Sequence, residues 1–80
     1  MSRYVKELEN GNTVAYGFDH VLGYFIDEYG PDDDNGEAVM LIDECSKLTN
    51  MSNGRMIELM KKYDLPRFHV DRVVMDLPII

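Results

Sequence analysis

Eighty residues, 45% of them hydrophobic and 29% charged, describe one folded domain with no room for a second, and a single small core must supply nearly all of its stability. A net charge of -7 repels phosphate, which makes nucleic acid and anionic lipid poor direct partners and basic protein surfaces better ones. Cys45 is the sole cysteine, so neither an internal disulfide nor a cysteine-rich zinc site can be built, and a reducing, cytoplasmic setting is expected. The N-terminal stretch has mixed charges and no apolar core of signal-peptide length, and the longest apolar run, Ala38 to Ile42, falls far short of the roughly 20 residues that cross a bilayer. No membrane association is expected.

The first elements read as a hairpin. Arg3 to Glu9 alternates imperfectly, Asn10-Gly11-Asn12 supplies the positive φ angles of a tight turn, and Thr13 to Phe18 forms a second strand. His20 to Tyr29 is open to two readings. Leu22, Phe25, Ile26 and Tyr29 have helical spacing, Asp19 could cap a helix and Gly30-Pro31 could end it. Against this, Gly23 would cost about 1 kcal/mol inside a helix, and Asp27 and Glu28 would meet the negative end of its dipole. Aromatic and β-branched content favours a strand over Leu22 to Tyr29, turning through Gly30 to Gly36 into another strand from Glu37 to Asp43.

Ser52 can accept from the free amides of a helix whose Met56, Leu59, Met60 and Tyr63 form one apolar stripe, with Glu58 spaced to pair Lys62. Leu65-Pro66 breaks that helix, and a second stripe follows at Val70, Val73, Val74 and Leu77, ending at Pro78. The expectation is a single α+β domain over 1–80: a small antiparallel sheet of three to four strands, filling most of 1–45, packed on a helical hairpin over 52–77.

Charge is distributed unevenly. Residues 1–40 hold nine acids against Arg3 and Lys6, whereas residues 41–80 hold six of each sign. Asp27, Glu28, Asp32, Asp33, Asp34 and Glu37 crowd one stretch that contains no basic residue. A sheet of this size has two faces and the helices can cover only one, so some tyrosines should be exposed, and tyrosines beside acids suit protein interfaces. Tyr24 and Tyr29 are therefore grouped with the six acids as a partner-binding surface.

Other chemistries find less support. If Gly36 is the sixth position of a calcium loop, the first is Pro31, without a side-chain oxygen, and the twelfth is Ile42, so the register fails. His20, His69 and Cys45 have no zinc spacing, and no cofactor is implied. Asp19-His20 lacks a converging nucleophile or oxyanion donor; His20 is expected to close a turn and His69 to lie on a helix surface. Asp43 and Glu44 would hold the Cys45 thiol protonated. Lys61, Lys62, Arg67 and Arg72 are interleaved with Asp64, Asp71 and Asp76, a mixed solvated face rather than a DNA-reading one. No enzymatic activity is expected.

The segment Tyr-Gly-Phe-Asp-His-Val-Leu-Gly-Tyr-Phe, residues 16–25, and the ending Met-Asp-Leu-Pro-Ile, residues 75–79, resemble short acidic proteins of bacterial and phage-derived mobile elements, over residues 14–80. Gly17, Phe18, Asp19, Gly23, Tyr24, Phe25, Leu77 and Pro78 carry the resemblance and read as turn and packing positions. The resemblance implies a genetic context rich in inhibitors of host defence enzymes, and no catalytic residues. The expected function is non-catalytic binding to a basic protein surface, in its sharper form a nucleic-acid-binding groove for which the acids compete with phosphate. The alternative is a self-associating module, a homodimer in which the acids serve solubility.

Overall fold

The computed structural model describes residues 2–32 and 38–80. Four strands, β1 (Ser2–Glu7), β2 (Thr13–Asp19), β3 (Gly23–Asp32) and β4 (Ala38–Cys45), are followed by two helices, α1 (Asn53–Lys62) and α2 (Arg67–Val74). Each strand pairs antiparallel with the next, in the order β1-β2-β3-β4, so the domain is an α+β meander with a C-terminal helical hairpin. Among the described residues no helix is long and apolar enough to cross a membrane.

The open segment before Tyr29 is a strand, for a local reason. The Asp19 carboxylate accepts from the backbone N–H groups of Val21 (2.7 Å) and Leu22 (3.3 Å), so its capping capacity is used to close a turn. Gly23 then takes a φ of +75°, which no α-helix contains. From there β3 pairs with β2 continuously, Asp19 opposite Gly23 through Thr13 opposite Tyr29. The first strand ends at Glu7 rather than Glu9, because Leu8 N–H reaches Asn12 O (2.8 Å) and Gly11, at φ +88°, donates to Leu8 O.

Period-two alternation sends Val14, Tyr16, Tyr24 and Ile26 to one face, where they join Met56, Leu59, Met60 and Tyr63 of the α1 side and Val70 and Val73 of α2 in a single core. Ser52 Oγ accepts from Arg55 N–H at 3.1 Å and caps α1 as its sequence position predicts. Glu58 pairs with Arg55 at 3.3 Å instead of with Lys62. Arg55 also forks onto Glu44 of β4, Nε to Oε1 at 3.2 Å and Nη2 to Oε2 at 3.0 Å, tying the start of α1 to the sheet edge.

The second helix departs from its predicted stripe. It stops at Val74, with Asp76 at φ 58° and Leu77 N–H returning to Arg72 O at 2.8 Å, so Leu77 lies beyond the helix. Its buried residues are His69, Val70 and Val73, whereas Val74 and Phe68 face water. His69, expected on the surface, is thus a core residue: its Nδ1 lies 2.7 Å from the Tyr16 hydroxyl and its ring 4.3 Å from that of Tyr4. A helix of two turns that begins at Pro66 has few residues to turn inward, and the aromatic strands offer the imidazole both a ring surface and a hydroxyl.

Candidate partner-binding face

Both helices occupy the face of Tyr16 and Ile26, which leaves the opposite face without a helical cover. Across its middle run Val5, Ala15, Asp27 and Asp43, one from each strand and each opposite the next. Phe25 and Tyr29 flank Asp27 at two-residue spacing on β3, both half-buried. Val5 and Leu41 are more than half exposed, at 53% and 55%. Ala15, at 1%, is covered by its larger neighbours on either side. The face therefore sets a pair of carboxyl groups among aromatic and aliphatic side chains, with exposed Arg3 and Glu7 on either side of Val5 along β1.

Asp27 and Asp43 stand directly opposite each other on β3 and β4. Two facing carboxylates repel, so Asp27 keeps its proton to higher pH than an isolated aspartate does. The Asp27 carboxyl is pushed up to about 6 by partial burial, then by the facing Asp43 carboxyl, with Arg3 pulling in the other direction. A half-desolvated acid pair on an open surface is a strong acceptor for an incoming cation, which would displace the proton and supply donors to both carboxylates.

The predicted surface is divided by the fold. Asp33, Asp34 and Glu37 lie outside the described residues, and Asp32 ends β3. Asp27 and Tyr29 lie on the uncovered face. Glu28 and Tyr24 do not lie on that face: both are buried, at 7% and 5% exposure. One residue of strand separates Glu28 from Asp27 and sends it to the helical side, where its Oε2 accepts from Asn12 Nδ2 at 2.8 Å and its Oε1 from the Tyr63 hydroxyl. Those two donors hold its carboxyl below the usual range against the opposing effect of burial, with Lys62 assisting. Burial and the adjacent carboxylate push the Tyr63 phenol well above its ordinary value.

Tyr24 is also a structural tie. Its hydroxyl donates to Leu77 O at 2.7 Å and holds the chain end against the sheet, where Ile79 is 1% exposed and Arg72 Nε donates to Pro78 O at 2.8 Å. Gly17 and Gly23 are both required by packing: a Cβ on Gly17 would lie 2.2 Å from Ser2 O, and one on Gly23 would lie 2.8 Å from Ser46 Cβ. Cys45 is buried, with its sulfur 3.4 Å from Leu48 N.

Asp43 is the residue that sequence reasoning missed. Its pairing with Asp27 depends on the β3–β4 register, and that register shifts between Glu28 and Tyr29 and again between Tyr29 and Asp32. No protein-family model, curated protein or solved structure matches the chain.

Proposed function

We propose that the chain is a non-catalytic binding module that docks on a basic protein surface through the uncovered face of its sheet. The observation that carries this reading is the Asp27–Asp43 pair, set among Phe25, Tyr29, Val5 and Leu41 on a face that neither helix covers. Aromatic and aliphatic side chains supply contact area, and the carboxyl pair favours an arginine-bearing or lysine-bearing partner over a neutral one. The net charge of -7 steers such a partner from a distance and repels nucleic acid, so a protein whose basic groove normally holds phosphate is the natural target. In that role the module acts as an inhibitor by occupancy, consistent with the mobile-element resemblance of its sequence.

The test is comparative capture from extract of the source cells, with wild type, Asp27→Asn/Asp43→Asn, and Phe68→Ser on the far side of the domain as baits. A basic protein retained by wild type and by Phe68→Ser, released by moderate salt and lost from the double variant is the expected result. Equal retention by the double variant removes the basis of this reading.

Self-association is favoured by a separate observation. Val39, Met40 and Leu41 are all about half exposed on β4, an edge strand of the sheet. Molecular mass in solution distinguishes this arrangement from a monomer, and a monomer across the micromolar range contradicts it.

A further inference from the structure

The carboxylate of Glu28 is buried and ionised, yet its partners within the chain are neutral, the Tyr63 hydroxyl and the Asn12 amide. Among the described residues no lysine or arginine forms an ion pair with it. Lys62 acts on Glu28 only through space, and Lys6 Nζ donates to Tyr63 O (2.9 Å) and Asp64 O (3.0 Å), capping the C-terminal end of α1. A carboxylate has about four acceptor sites, and these two donors fill about half of them.

Glu28 also lines a groove of about 490 Å³ between the β1–β2 hairpin and the end of α1. That volume lies within the range of sites that hold small ligands, roughly 300–1,000 Å³. Glu7, Glu9 and Asp64 add carboxylates to its walls, Lys6 and Lys62 line it as well, and Leu8 offers an apolar surface. Lys6 already caps the carbonyls at the end of α1, so the helix terminus is satisfied. The four carboxylates outnumber the two lysines, and with the buried Glu28 the lining favours positive charge.

We propose that this groove binds an organic cation, with an alkylammonium or guanidinium head that takes the place of the counter-ion Glu28 lacks and an alkyl stem lying along Leu8. The head donates to the unfilled acceptor positions of Glu28 while the Tyr63 and Asn12 bonds remain in place. The site is independent of the sheet-face reading, since Glu28 and Asp27 project to opposite faces of β3. The same head group can arrive on a free diamine or guanidine or on a protein side chain.

Backbone amide shifts in ¹⁵N-labelled protein, followed during titration with agmatine, with putrescine and with a Gly-Arg-Gly peptide, test the site and separate the sources. Saturable shifts at Leu8, Asn10, Glu28 and Tyr63 are expected with at least one probe. Small-molecule binding without peptide binding identifies a free ligand, and the reverse identifies a protein side chain. Glu28→Gln should weaken binding about tenfold or more, and Glu9→Arg, an exposed change that places a cation in the groove while keeping Glu28, should abolish it. Lys62→Gln should strengthen it several-fold, and Asp27→Asn/Asp43→Asn should leave it unchanged. No saturable shifts with any probe, or binding by Glu9→Arg equal to wild type, overturns the proposal.

Discussion

The Tyr63 hydroxyl at the end of α1 donates to the carboxylate of Glu28 on β3, so a buried acid of the sheet is held by the helix that follows it. This bond, like the buried Tyr16–His69 contact, joins the two halves of the fold through polar groups inside a largely apolar interface. Tyr63→Phe should destabilise the domain by about 1.5–3 kcal/mol, the usual contribution of a hydrogen bond to a charged group, read from the urea midpoint at pH 7. Because the folded carboxyl of Glu28 lies below its unfolded value, its contribution is present above that unfolded value and disappears as pH falls through the lowered folded one. The wild-type and Tyr63→Phe stability curves should therefore converge on acidification below about pH 4.

Asp27 has the opposite sign. Its folded carboxyl is raised to about 6, so the native state holds a proton that the unfolded state has released, and stability falls as pH rises from the unfolded value toward and through 6. Asp27→Asn removes that penalty. The variant should exceed wild type by about 1 kcal/mol at pH 8, after allowance for solvent screening at a half-exposed site, with the difference shrinking toward pH 4. Thermal melts across that interval check both sign and trend.

The buried His69 adds a second acid-sensitive group. Burial lowers its imidazole below the ordinary value, so the native state resists protonation and stability is lost as pH falls below about 6.5. The Tyr16 hydroxyl is the natural donor to Nδ1, which leaves the proton on Nε2. Proton-detected titration of the His69 ring should show a midpoint below that of a model imidazole, and Tyr16→Phe should cost about 1 kcal/mol at pH 7.5.

Gly17→Ala should be the most damaging single-methyl change. The added Cβ would meet the backbone carbonyl of Ser2, which cannot move away without breaking the pairing of β1 with β2. A loss of about 2 kcal/mol or more is expected, whereas Gly11→Ala, in open space at φ +88°, should cost only about 1 kcal/mol of backbone strain. Denaturant midpoints for the two variants make the comparison.

Strand-level organisation was legible where the local chemistry was explicit: Asn10-Gly11 for the first hairpin, Ser52 for the α1 cap and Leu65-Pro66 for the break between helices. The strand assignment of residues 23–29 was legible through Gly23. The same alternation that places Tyr24 and Ile26 in the core carries Glu28 with them, a consequence concealed by treating the acids as one surface cluster. Asp43 could not be matched to Asp27 from sequence because a turn over Gly30 to Gly36 places Val39 opposite Asp27, whereas β3 runs on to Asp32 and β4 begins at Ala38. His69 was misplaced because helix periodicity alone does not weigh the hydroxyl and aromatic rings that the strands present to it.

Site-specific photo-crosslinking tests the sheet-face account most directly. A photoreactive residue placed at Val5 or Leu41 on the uncovered face, or at Phe68 on the helical side, leaves the core intact because all three are exposed. Covalent capture of one basic protein from source-cell extract by the Val5 and Leu41 probes, absent with the Phe68 probe and suppressed by Asp27→Asn/Asp43→Asn, is the predicted result. Capture of that protein only through the Phe68 position would contradict it.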